Sequence, residues 1–111
     1  MSDWTNICGV IRYDAFKDLN VEKAFSKDLP RGSEGPLKII KNYTNTGDCL
    51  TIIGDLRDYT DLVRLANWWK NIPGKLKSCF ITYAILYVEC GNKKLILTEE
   101  DMNKEQDLDN D

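Results

Sequence analysis

The sequence predicts a two-layer α/β fold of the ferredoxin-like (split βαβ) type. This is an antiparallel sheet with two helices on one face and an added C-terminal strand. Three observations predict it. Apolar segments recur in the order strand, helix, strand, strand, helix, strand, strand, and the first six match two βαβ units. One segment has clear helical spacing: Leu62, Leu65, Ala66, Trp69 and Ile72 fall at i, i+3, i+4, i+7 and i+10. The chain has 111 residues, 42% of them hydrophobic, which is enough for one domain with a modest core.

Each element follows from its residues. Residues 4–13, WTNICGVIRY, alternate with apolar content on both parities, as a strand inside a sheet does. Gly9, without a side chain, marks a place where a neighbour packs closely. Asn20 caps a short helix that starts at Val21 and buries Val21, Ala24 and Phe25. Residues 28–36, DLPRGSEGP, carry two prolines and two glycines and read as loop. LKIIKNY at 37–43 is a second strand, NTGD at 45–48 a hairpin turn, and Cys49 to Leu56 a central third strand. Pro73–Gly74 stops the helix that follows. CFITYAILYVE at 79–89 is a long strand, CGNK at 90–93 turns the chain, and KLILT at 94–98 closes the sheet as a hairpin. The connection from 14 to 36 carries more loop than the plain fold needs.

The domain is expected to span 1–98, with 99–111 as a disordered acidic tail. The tail, EEDMNKEQDLDND, holds seven acids and one lysine, so the body carries fourteen basic residues against eleven acidic ones. A tail of this kind is a solvated end, or else a shield or bait for a basic partner. No secretory signal is visible, and the apolar run near Phe80–Val88 is too short to span a bilayer. Four cysteines at 8, 49, 79 and 90 form no CxxC pair and read as free, mostly buried thiols of a reducing cytoplasm. The chain has no histidine, so no Ser–His or Cys–His catalytic pair is available to it.

The densest cluster of charge is GDLRDYTD at 54–61. Asp55, Asp58 and Asp61 with Asp14 would suit a divalent cation, but Arg57 lies among them and no DxDxDG pattern appears, so no metal is expected. Asp58, Thr60 and Asp61 instead compete to cap the following helix. Asp55 and Arg57 are left without a structural duty, Arg57 being within reach of Asp55 or Asp61. The loop RGSEGP at 31–36 lacks the phosphate-loop pattern and reads as turn geometry or as a contact loop offering Arg31 and Glu34. Trp68 stands about 100° from the Trp69 stripe, at the rim of the sheet or as an interface anchor. In 79–89, Phe80, Ala84, Leu86 and Val88 take one parity and Ile81, Tyr83, Ile85 and Tyr87 the other. If helices cover one face only, the other keeps more apolar surface than a solvated face needs, and a second copy or another protein would bury it. An RNA-recognition aromatic motif is missing, so nucleic acid is not an expected partner.

GVIRYD (9–14), GSEGPL (32–37) and GDLRDYTD (54–61), with the aromatic helix after them, are similar to small uncharacterised accessory proteins encoded by bacteriophages. The resemblance covers most of residues 4–97 and brings no catalytic residues with it. It implies a protein of the host cell cytoplasm that binds a host protein, including components of host defence. The expected function is therefore non-enzymatic binding, as a homodimer or to a bacterial protein, without a cofactor. Arg31, Glu34, Asp55, Arg57 and Trp68 are the expected contacts. The alternatives are a small nucleotide-binding or metal-dependent hydrolytic enzyme using Asp55, Asp58 and Arg31, and a minor virion protein.

Overall fold

The computed structural model describes residues 3–15, 20–25 and 27–102. It is a mixed α/β fold with two sheets and helices packed against strands. The strands of the main sheet are β1 (Trp4–Ala15), β4 (Lys38–Thr44), β5 (Gly47–Arg57), β6 (Cys79–Cys90) and β7 (Lys93–Thr98). They lie in the order β4-β5-β1-β6-β7, and every neighbouring pair is antiparallel. The central place of β1 accounts for its apolar content on both parities.

The side chains of one face form the core. Thr5, Ile7, Ile11 and Tyr13 of β1 are buried there with Leu50, Ile52 and Leu56 of β5 and Ala84, Leu86 and Val88 of β6. Gly9 falls in the same row, where a Cβ would stand 2.8 Å from Leu86 Cδ1, so the neighbouring strand already fills its place. The parity of β6 is broken by a register shift between Arg12 and Tyr13, opposite Tyr83 and Ile81. Thr82 is the extra residue, and its hydroxyl donates to the Arg12 carbonyl at 3.2 Å. A one-residue bulge exchanges the faces beyond it. Phe80 is therefore 66% exposed while Ile81 packs against the core, the reverse of the simple alternation.

The helix α2 (Leu62–Lys70) covers this face with Leu65, Trp68 and Trp69. Its cap is Asp61, whose carboxylate accepts from the Arg64 amide at 3.0 Å. Neither Asp58 nor Thr60 takes that role. Asp58 is held at φ 60, a left-handed turn conformation, and its amide donates to the Asp3 carbonyl at 2.6 Å. The chain does not stop at Pro73–Gly74: these residues lie inside a further turn, α3 (Ile72–Lys75). Proline is tolerated in a first helical turn because the amide it lacks has no partner there.

The first crossover holds a single described helical turn, α1 (Val21–Ala24), capped by the Asn20 side chain as expected. The segment read as loop contains a small ribbon of β2 (Arg31–Gly32) and β3 (Gly35–Pro36). The expected boundary at residue 98 falls short. Glu99–Asp101 form a 3-10 turn closed by a capping box between Thr98 and Asp101, and Met102 is buried in the core. Acid-rich composition hid this, because three acids in a first turn suit its positive end. The rest of the expected tail, 103–111, lies outside the described residues. The four cysteines are free, but none is buried: Cys8 is exposed and the others are half-buried. Among the described residues no helix is long and apolar enough to cross a membrane.

Candidate functional site: the open sheet face

Among the described residues no helix covers the second face of the main sheet, and the strand register fixes its pattern. One row runs through all five strands as Lys38–Ile53–Cys8–Tyr87–Ile96. The adjacent row is Ile40–Thr51–Val10–Ile85–Thr98. Ile40, Ile53 and Ile96 are each about half exposed, and Tyr83, one row further along β6, is 47% exposed. Directly opposed side chains on one face stand close enough to touch. The result is a continuous apolar band four strands wide, with the Cys8 thiol at its middle.

Polar groups close the band at both ends. At one end Asn6 lies between Asp55 and Glu89, and Asn6 Nδ2 donates to Asp55 Oδ1 at 2.6 Å. The Tyr87 hydroxyl donates to Glu89 Oε2 at 2.9 Å, which raises the tyrosine pKa by stabilising its protonated form. At the other end Arg12 Nη2 donates to Thr44 Oγ1 and Thr46 Oγ1 at 3.2 and 3.1 Å. These contacts hold the rim in place; within the band the Thr51 hydroxyl accepts from Asn42 Nδ2 at 2.8 Å, and the side chains around it are mainly apolar.

The expected contact residues divide between two places. Glu34, Asp55 and Arg57 gather at the polar end of β5. The ribbon docks on that strand end through backbone: the Ser33 amide donates to the Arg57 carbonyl at 2.9 Å. This sets Glu34 Oε2 3.4 Å from Arg57 Nη1, with both side chains about half exposed. The Arg57 guanidinium also lies over the Trp4 ring, 5.9 Å from its centroid. The sequence pointed to Asp55 or Asp61 for Arg57 and missed both Glu34 and Trp4, since no local pattern announces a ribbon folding back across more than twenty residues.

Arg31 and Trp68 lie elsewhere, around a concavity on the helix side. Trp68 is only 6% exposed and its ring lies 6.3 Å from that of Phe25. It is therefore a core residue rather than an exposed anchor. Burial of Phe25 at the end of α1 widened the apolar stripe of α2 beyond the spacing that marked Trp69. Loop residues between β5 and α2 are pinned as well: the buried Thr5 hydroxyl donates to the Tyr59 carbonyl, and burial pushes the Tyr59 phenol pKa up. Among the described residues no group of three or more cysteines, aspartates or glutamates is placed to hold a metal ion. Comparison with family models, curated proteins and solved structures returns no match.

Proposed function

We propose that the chain is a non-enzymatic binding module that covers its open sheet face with protein, either a second copy of itself or a bacterial host protein. The observation that carries this is the row Ile53–Cys8–Tyr87–Ile96, apolar across four adjacent strands, in a band bounded along the strands by fixed polar pairs. A solvated sheet face alternates with polar residues, and a contiguous exposed apolar patch on a small protein marks an interaction surface. The strands also supply enough area. Five strands at about 4.8 Å spacing, with usable lengths of about 30 Å, offer roughly 700 Å², close to one side of a standard interface.

The strand order supports a split βαβ assignment with β7 added at one edge, the first helix being reduced to a turn. Resemblance to phage accessory proteins supports a target in the host cytoplasm, including a component of host defence. Glu34, Asp55 and Arg57 then form the polar rim of the contact.

Light scattering across a concentration series tests the self-association arm, and capture from bacterial lysate tests the other. Ile53→Asp and Ile96→Asp place charge at the two sides of the band without touching the core. The proposal expects a dimer or one stoichiometric partner for the parent chain, and loss of that species for both variants. A parent chain that stays monomeric, and that retains no protein beyond what the variants retain, sinks the reading.

A further inference from the structure

We infer that the helix side carries a second, independent site: an anion-binding pocket for a phosphate-bearing small molecule of the nucleotide class. A cavity of about 470 Å³ opens between α2 and the segment 27–31. That volume lies within the range of small-molecule sites. Three cationic side chains line it: Lys27 and Arg31 from the one segment 27–31, and Arg64 from α2. The acid on its wall, Asp28, is engaged by Lys75 Nζ at 2.5 Å. The balance of charge facing the cavity is therefore positive.

Guanidinium groups match phosphate oxygens in a forked geometry, and a lysine adds a point charge. The remaining lining suits the rest of such a molecule. Tyr59 and Trp68 contribute aromatic edges, and Asn67 offers an amide on the exposed side of α2. Asp55 and Asp58 take no part, so this pocket differs from a carboxylate-based hydrolytic site at the end of β5 and is separate from the open sheet face.

The test is calorimetric titration of the full chain with ATP and GTP in metal-free buffer, with sodium tripolyphosphate as the comparison. The site predicts saturable binding of at least one nucleotide, tighter than tripolyphosphate and weakened several-fold between 50 and 200 mM salt, on the order expected for a few ionic contacts. Arg31→Gln/Arg64→Gln, at exposed positions, should weaken it by at least about tenfold while circular dichroism and Tm stay unchanged. Absence of binding at millimolar nucleotide, or binding equal in the double variant, overturns the site. Tripolyphosphate binding as tightly as ATP and GTP overturns the nucleotide assignment. Neither result depends on whether Ile53→Asp abolishes self-association.

Discussion

Gly32 lies flat against the backbone of Arg57. A Cβ added to Gly32 would stand 2.6 Å from the Arg57 amide nitrogen and 2.7 Å from its carbonyl oxygen. The ribbon and the end of β5 are therefore fitted backbone to backbone, and the Glu34–Arg57 contact depends on that fit. Backbone cannot swing aside as a side chain can, so Gly32→Ala should destabilise by about 2 kcal/mol through overpacking. Gly35 has open space around it but sits at φ 134, so Gly35→Ala should cost about 1 to 2 kcal/mol by strain alone. Gly74, with free space and an ordinary helical position, is the control and should gain slightly as alanine. Urea unfolding of the three variants checks the order. Equal stabilities for Gly32→Ala and Gly74→Ala would contradict the packing described.

Tyr13 gives the fold a pH dependence. Its phenol is buried without a hydrogen-bond partner among the described residues, and its pKa is raised from 10.0 to about 12, chiefly by desolvation. The unfolded chain ionises this group near 10 while the folded chain holds it neutral. Its contribution is fully present below pH 10 and is lost as the pH rises from 10 to 12, by up to about 2 to 3 kcal/mol. Tyr59 and Cys79 are shifted the same way by burial and add to the alkaline loss. Tyr13→Phe should be as stable as the parent chain or more so at pH 8, because it removes an unsatisfied hydroxyl. It should also lose less stability on going to pH 11. Thermal melts of both proteins at pH 8 and pH 11 measure the difference, and identical losses would exclude Tyr13 as the source.

The residues 54–61 show what a sequence can and cannot reveal. That a strand ends there and a helix begins was legible, because the change of hydrophobic period from two to 3.6 is local. Which residue caps the helix was not. Asp58, Thr60 and Asp61 are equivalent in composition, and the choice is made by the ribbon and by Asp3, which hold Asp58 in a left-handed turn. The strands were legible for the same local reason, whereas the Thr82 bulge that turns Phe80 outward depends on pairing with β1. The surplus of apolar residues on β6 was visible, but its continuation through Cys8, Ile53 and Ile96 requires the register of four strands. The Lys27–Arg31–Arg64 cavity was invisible, since only the packing of α2 brings Arg64 to the segment of Lys27 and Arg31.

The competing caps make separate predictions. Asp61→Ala removes the acceptor for the Arg64 amide and should cost about 1 kcal/mol. Asp58→Gly removes a Cβ from a left-handed position and should be neutral or slightly stabilising, offset in part by the unfolded-state entropy of glycine. Chemical denaturation resolves a difference of this size. A larger loss at Asp58 than at Asp61 would reverse the assignment of the cap.

Cys8 offers a direct reading of the open face, because its thiol is exposed and stands in the row between Ile53 and Tyr87. A chain in which Cys49, Cys79 and Cys90 are serine keeps one thiol at the centre of the band. Those three are half-buried, and Cys79 packs against the core, so circular dichroism and a thermal melt first check that the replacement folds. Reaction with a bulky maleimide then reports occupancy of the face. If a second copy covers it, the labelling rate per molecule should fall as protein concentration rises through the dimer range. Ile53→Asp should restore the fast rate at every concentration. Cys90 alone, near the β6–β7 turn, should react at a rate independent of concentration, which separates coverage of the face from a general effect of crowding. A Cys8 rate that is flat over the whole range, and unchanged by added lysate protein, would mean that the apolar band stays open to water.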